Sequence, residues 1–459
     1  MSQKIKRALF IFRRDLRLED NTGLNFALEN ADEVIVCFIF TPEQIDSNPY
    51  RGDHCLQFMI ESLEELQEDI ASKGGRLYLF YGKPKEVVTQ LIQTQHIESV
   101  VVNRDYTPYS IKRDKSIEET CREFAISFHA FDDLLLQPPE QALKRDGTPY
   151  QVFTPFYRNA MQLRVDLPTS NQHKNYYSGS IEFAKDNSIF KKILPKRLLP
   201  RSGGRRNALK ILKDIKRFSY YETFRDFPAN DSTTHLSAHL KFTTCSVREV
   251  YLSISREFGA SSSLIRSLYW RDFFSSIALY FPKVFTGAFH SKYNQLEWSS
   301  NEETFQSWCE GRTGFPLIDA GMREMNKTGY MHNRVRMLAA SFLVKDLHIN
   351  WQWGERYFAK RLIDYDPAVN NGNWQWASST GCDAQPYFRI FNPWTQSTKF
   401  DPDCLYIKKW VPELKVLPPK AIHKWYEEKN HVLAPDYPPP IVDHATESKI
   451  ALSLYKKVR

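Results

Sequence analysis

Two short spacings in the sequence place polar, cationic and large side chains together on single helix faces. Leu264, Ser267, Trp270 and Arg271 fall at i, i+3, i+6 and i+7 of one segment, and Asn333, Arg336 and Met337 repeat the arrangement in another. A plain core stripe would be aliphatic. This mixture suits the wall of a polar ligand site, although a salt-bridged helix contact would account for it nearly as well. Trp298, Trp351 and Trp374 raise a second chemistry, because indole can be oxidised to a radical cation and offers a broad face for stacking. Packing is the commoner role of any single tryptophan. Trp374 and Trp376 are unusual in being set into Asn370-Asn371-Gly372-Asn373-Trp374-Gln375-Trp376, whose asparagines and glycine argue for a turn.

Other chemistries find little support. His290, His332 and His348 are isolated, with no HExxH pair and no GxSxG elbow, so hydrolysis and metal chemistry are disfavoured. The seven cysteines are odd in number and scattered without a CxxC pair, which argues against a disulfide framework or a zinc site. A net charge of +8 permits an anionic partner without demonstrating one. The aromatic fraction of 14% supplies π-surface for packing and for planar ligands alike.

The elements that must carry these residues fall into two kinds. With 459 residues the chain exceeds a single core, so two or three domains are expected. Strand patterns at Ala8–Phe12, Val34–Phe40, Arg76–Phe80, Ser99–Asn103 and Ser127–Phe131 alternate with amphipathic segments such as Cys55–Ser72. This alternation predicts an α/β domain over residues 1–135, with a doubly wound parallel sheet of five strands. The first βα turn reads RRDLRLEDN where a dinucleotide fold would carry GxGxxG, so a dinucleotide site at that turn is disfavoured. Residues 136–217 are expected to form an interdomain connection, rich in proline and then basic. Lys191–Arg217 holds eleven Lys/Arg against the single acid Asp214, read as a solvated basic linker ahead of a nucleic-acid contact. From 218 to 459 helical spacing prevails, as in Val247–Phe258, Leu264–Leu279, Asp319–Met325, Asn333–Leu347 and Gly354–Leu362, and an all-α domain is expected. No signal h-region and no membrane-length apolar run is present, so the chain is expected to be soluble and cytoplasmic, nucleoid-associated if bacterial.

The run WCEGRTGFPLIDAGMREMNKTGYMHNRVRMLAASFLVKDL, followed by GERYFAKRLIDYDPAVNNGNWQWASSTG and PYFRIFNP, closely resembles the photolyase and cryptochrome family, nearest its class I cyclobutane-dimer photolyases. FRRDLRLEDN and VFTPFYR agree, so the similarity spans nearly the whole chain. The resemblance implies an α/β antenna domain and a helical domain that binds FAD and DNA. It places Tyr221, Thr233, Thr234, Leu236 and Ser237 at the diphosphate and adenosine end of FAD. Leu264, Arg271, Asn333, Arg336, Asp364, Asp366, Asn370 and Asn371 match flavin-lining positions, with Arg336 and Asp364 as an ion pair. Asn370 matches the residue facing flavin N5, where plant cryptochromes carry Asp and insect cryptochromes Cys. Trp374, Trp351 and Trp298 match an electron-transfer chain from flavin to surface. Trp270 and Trp376 match aromatics of the lesion pocket, and Arg334 and Arg389 match contacts near the lesion or its phosphates. The implied reaction is light-driven splitting of a cyclobutane pyrimidine dimer in UV-damaged DNA by a monomeric lyase.

Three positions refine that expectation. Met337 stands where (6-4) photolyases carry a catalytic histidine, which favours the cyclobutane lesion. Ser267 replaces a glutamate that hydrogen-bonds the thymine in typical bacterial members, and its hydroxyl has a shorter reach and no carboxyl charge. Ser110 and Phe285 replace residues of folate-binding members, so folate is disfavoured as the second, antenna chromophore, and a deazaflavin, a second flavin or an empty pocket stay open. The rival reading is a cryptochrome-like photoreceptor with weak or no repair. Asn370, the two pocket tryptophans and the lack of a long tail beyond Arg459 favour the enzyme, while Ser267 favours the rival.

Overall fold

The computed structural model describes residues 4–46, 48–195 and 202–458. Lys196, Arg197 and Arg201 of the basic stretch lie outside the described residues. The chain divides into two compact units, Met1–Lys216 with Thr234–Pro282, and Arg217–Thr233 with Lys283–Arg459.

In the first unit, five parallel strands stand in the order β3-β2-β1-β4-β5: β1 (Ile5–Phe12), β2 (Ala31–Phe40), β3 (Leu77–Tyr81), β4 (Ser99–Asn103) and β5 (Ser127–Phe131). The expected α/β architecture and its five strands are therefore present. Leu9 lies between Ile35 on one side and Val100 on the other, and all three are fully buried, as continuous β-branched runs must be when helices cover both sheet faces.

The RRDLRLEDN turn is a charged knot. Arg17 is buried, with Nη2 2.6 Å from Asp133 Oδ2 and Nη1 donating to Thr243 Oγ1 at 2.8 Å. Arg248 reaches both Asp20 at 2.9 Å and Asp133 at 2.8 Å. Burial alone would raise the Asp133 carboxyl, but Arg17 and Arg248 outweigh it and hold its pKa at about 2. Because the knot recruits Thr243 and Arg248, residues 234–282 belong to this unit, although helical spacing alone groups them with the chain that follows. Residues 136–217, expected as a connection, also pack on the sheet. Tyr177 N donates to Val34 O at 2.8 Å, and Lys185 N donates to Leu79 O at 2.7 Å.

The second unit is helical, as expected. Its core gathers Trp308, Phe342, Leu343, Trp351, Phe358, Trp374 and Trp425 from several helices. The asparagine-rich stretch read as a turn is instead the helix Pro367–Ala377. Asp366 caps it by accepting from Val369 N at 3.1 Å, and proline occupies its first turn. Weak propensity inside the helix is overridden by tertiary contacts. Asn371 Nδ2 donates to Glu355 Oε1 and to Val284 O, each at 3.0 Å, and Trp374 is 2% exposed. Gly354 permits this packing, since a Cβ there would lie 2.1 Å from Trp374 Cη2.

Candidate functional site

In the first unit the helix Ser263–Tyr280 positions four of the expected residues. Leu264 is buried, and Arg271 spends its guanidinium on the carbonyls of Leu134 at 2.7 Å and Leu240 at 3.2 Å. Trp270 is half-buried, and one of its faces lies on Phe153 at 3.6 Å between ring centroids with 7° between planes. Phe153 was not singled out from sequence, although its VFTPFYR motif carried part of the resemblance. Ser267 is exposed and its hydroxyl donates back to Ser263 O at 3.0 Å. Thr234 Oγ1 accepts from Leu236 N at 3.4 Å, and exposed Ser237 opens the next short helix.

In the second unit Arg336 and Asp364 form the expected ion pair, bidentate at 3.1 and 3.0 Å. Arg336 Nε also donates to Met331 O at 2.7 Å. Burial works against its charge, but Asp364 more than compensates and raises its pKa. Asn333 Nδ2 lies 3.7 Å from Met337 Sδ, and Thr233 Oγ1 lies 3.3 Å from Tyr330 Oη. Tyr221 opens a single helical turn and is half-buried. Arg334 pairs with Asp226 at 2.8 Å and stacks 4.4 Å over Phe400, while Arg389 is exposed next to Phe388.

The three chain tryptophans share one core cluster, with Trp351 and Trp374 buried and Trp298 at its partly buried edge. Ser299 N donates to His348 O at 2.7 Å and Ser299 pairs with Ile349, which brings Trp298 to the start of the Trp351–Arg361 helix. Trp376 is half-buried.

Glu355 is a residue that sequence reasoning missed. Its carbonyl accepts from Asn370 Nδ2 at 3.1 Å and its carboxyl from Asn371 Nδ2 at 3.0 Å, so one buried acid orients both asparagines. Nothing in the local pattern distinguishes it from any other helix glutamate. Burial raises its pKa from 4.5 to about 7, against the lowering by Asn371. Between these two values the folded chain holds a proton that the unfolded chain releases, so stability falls as pH rises through this window. Glu355→Gln keeps an acceptor for Asn371 and removes the charge. It is expected to gain ~2–3 kcal/mol at pH 8 and nothing at pH 4. Urea unfolding at the two pH values checks this, and an equal effect at both would contradict it.

Comparison with known proteins accords with this geometry. The family model described as the FAD binding domain of DNA photolyase matches residues 264–457, and the DNA photolyase model matches residues 8–172. The chain belongs to the DNA photolyase family. Among relatives, the deoxyribodipyrimidine photo-lyase of Alkalihalophilus pseudofirmus is 37% identical, over 97% of this chain and 97% of its own. An archaeal photolyase from Sulfolobus tokodaii, solved with two FAD molecules, is 43% identical at a TM-score of 0.89, covering 98% of this chain and 100% of that one. A Synechocystis cryptochrome is 26% identical at a TM-score of 0.89, covering 99% and 100%. Among the described residues no helix is long and apolar enough to cross a membrane, and no cluster of metal ligands occurs.

Proposed function

We propose that the chain is a light-driven DNA repair enzyme, a deoxyribodipyrimidine photo-lyase that splits cyclobutane pyrimidine dimers. The observation that carries this reading is the Pro367–Ala377 helix, which presents the amide Asn370, the core tryptophan Trp374 and the half-buried Trp376 within two turns. The donor set fits FAD. A half-buried guanidinium–carboxylate pair suits a flavin ring, and Asn370, whose Nδ2 is engaged by Glu355, keeps its carbonyl oxygen for an N–H donor without adding negative charge. The hydroxyls of Tyr221, Thr233, Thr234 and Ser237, beside Leu236, would serve the diphosphate and adenosine end. Reduced FAD held there would supply the light-driven one-electron chemistry that opens the cyclobutane ring.

The remaining work falls to side chains. A dimer must leave the duplex, at a cost of a few kcal/mol that is least for a damaged base. Trp376 of the second unit would stack on it; within the first unit Phe153 fixes the plane of Trp270, for which the resemblance implies a stacking role. Arg334 and Arg389 would take phosphates and fix register without reading sequence. Arg334 must exchange its partner Asp226 for phosphate. The Ser267 oxygen can accept a hydrogen bond while its proton stays on Ser263 O. Met337 leaves no imidazole for (6-4) chemistry. Trp376→Ala is expected to weaken binding of a dimer-containing oligonucleotide roughly 5- to 150-fold, while binding of undamaged DNA is unchanged.

The test of the whole reading is dimer loss from a thymine-dimer oligonucleotide with reduced, FAD-loaded protein, in blue light and in the dark. Light-dependent loss is expected. Absence of loss, with the flavin still photoreducing, would favour the photoreceptor reading that Ser267 supports.

The N-terminal unit is proposed to hold a second chromophore, a flavin nucleotide. Arg13 follows β1 directly, and Arg113 lies on the helix Pro108–Glu123 that follows β4, so both stand where the strand order reverses. They share Asp114, at 2.7 and 3.0 Å, yet Arg13 Nε and Nη2 and Arg113 Nη2 are buried without hydrogen-bond partners among the described residues. Two buried guanidinium groups with spare donors suit a phosphate. Ser110, standing where folate binders carry an acid, is taken up with Thr107 at that helix's N-terminus, at 2.9 Å. Flavin released per polypeptide should exceed one in the native protein and return to one in Arg13→Ala/Arg113→Ala.

A further inference from the structure

Trp374 is in ring contact with two aromatics that the expected electron chain does not use. Phe358 lies 4.9 Å away at 76°, and Trp308 lies 6.2 Å away at 71°, edge on face. Trp308 is fully buried and continues outward: it stacks on Phe305 at 5.9 Å, and Phe305 meets half-buried Trp353 at 5.2 Å. All of these belong to the second unit.

We propose that Trp308 is a second electron donor to Trp374, refilled from the protein surface by Trp353 across Phe305. The proposal rests on the photolyase reading of Trp374. A hole formed on Trp374 takes one electron from Trp308, which restores the Trp374 indole and leaves Trp308 oxidised. Trp308 cannot trap the hole, because its Nε1–H donates to the backbone carbonyl of Ala339 at 3.0 Å, which is too weak a base to remove the proton. It therefore takes an electron from Trp353. The oxidised Trp353 loses its Nε1 proton to water, and a thiol in solution donates a hydrogen atom that restores the indole and leaves a thiyl radical. Each transfer moves one electron, and the only bonds broken are the Trp353 N–H, which is remade, and the thiol S–H.

Tyr357 touches Trp308 at 5.7 Å but does not end the branch. Its hydroxyl is bonded to Asn326 Oδ1 at 2.7 Å, a poor proton acceptor, and the Arg361 guanidinium sits 5.3 Å over its ring, where it opposes a positive charge. Among the described residues Trp353 meets neither obstacle.

The experiment uses full-length FAD-loaded protein with a thiol reductant, and reads both the yield of flavin photoreduction and the neutral tryptophan radical by transient electron paramagnetic resonance. Trp351→Phe blocks the first route. It is expected to keep a measurable photoreduction yield and a radical signal, and both should vanish in Trp351→Phe/Trp353→Phe. Trp353 is partly exposed, so this variant is safe for folding where Trp308→Phe is less so. Loss of all photoreduction in Trp351→Phe alone, or an unchanged yield and signal in the double variant, would overturn the proposal. Trp374→Phe separates the two levels of inference, because photoreduction surviving there would refute the reading of Trp374 itself.

Discussion

Asp133→Ala is expected to destabilise the first unit by ~3–5 kcal/mol, the cost of stripping a buried charge network of the anion that both its guanidinium groups share. Arg17 has no exposed side-chain surface and Arg248 is 11% exposed, so the two cations would be left facing each other with little water to screen them. The effect should depend on pH in a fixed direction. Asp133 titrates at about 2 in the folded chain against 3.8 ordinarily, so the unfolded chain binds the proton first. Stability from this group is complete above pH 3.8 and is lost as pH falls towards 2, an amount of ~2 kcal/mol. Denaturant unfolding followed by circular dichroism, at pH 7 and at pH 3, measures both quantities. A loss below ~1 kcal/mol at pH 7 would mean that water and the carbonyl partners of Arg17 already neutralise the network.

That knot also marks where sequence reasoning reached its limit. The central strands were legible because their β-branched runs are buried on both faces, and the edge strand Ser127–Phe131, which is not, was legible from its aromatic residues; Ser99–Asn103 and Ser127–Phe131 coincide with β4 and β5. Helices with a clear apolar face, such as Val247–Phe258, were equally readable. Allegiance between distant segments was not. Nothing local shows that Arg248 reaches back to Asp20 and Asp133, and so that residues 234–282 join the first unit. The Pro367–Ala377 helix failed for the opposite reason. Its asparagines favour turns by local hydrogen bonding, and it takes distant groups, the carboxyl and carbonyl of Glu355 and the carbonyl of Val284, to give those amides a better partner.

The site shows the same division. The family resemblance proposes the site residues, and among them Arg336 and Asp364 are paired. The groups that orient them were invisible, because support roles fall to residues of ordinary type: Phe153 under Trp270, Asp226 on Arg334 and Glu355 behind both asparagines. Such positions are set by three-dimensional packing, which one sequence does not encode at any fixed spacing.

Asn370→Asp tests the most consequential of these supported positions. Asn370 is 9% exposed, and its Nδ2 donates to the Glu355 carbonyl at 3.1 Å. An ionised aspartate has no proton to give, so two acceptors would face each other, at a cost of ~1–3 kcal/mol. Burial at position 370 and the facing Glu355 carbonyl oxygen both disfavour a carboxylate and would push the new acid up. Stability of the variant should therefore fall as pH rises above the ordinary aspartate value of about 3.9. The same charge would oppose an electron-rich flavin, so photoreduction and repair should suffer most where the introduced carboxyl is ionised. Near pH 5 a protonated side chain can donate to the Glu355 carbonyl and restore part of the native arrangement. The ratio of native to variant repair rates is thus expected to grow steadily from pH 5 to pH 8.5. A constant ratio across that range would show that position 370 acts through shape alone, and that the neutrality of its amide is not what the reaction requires.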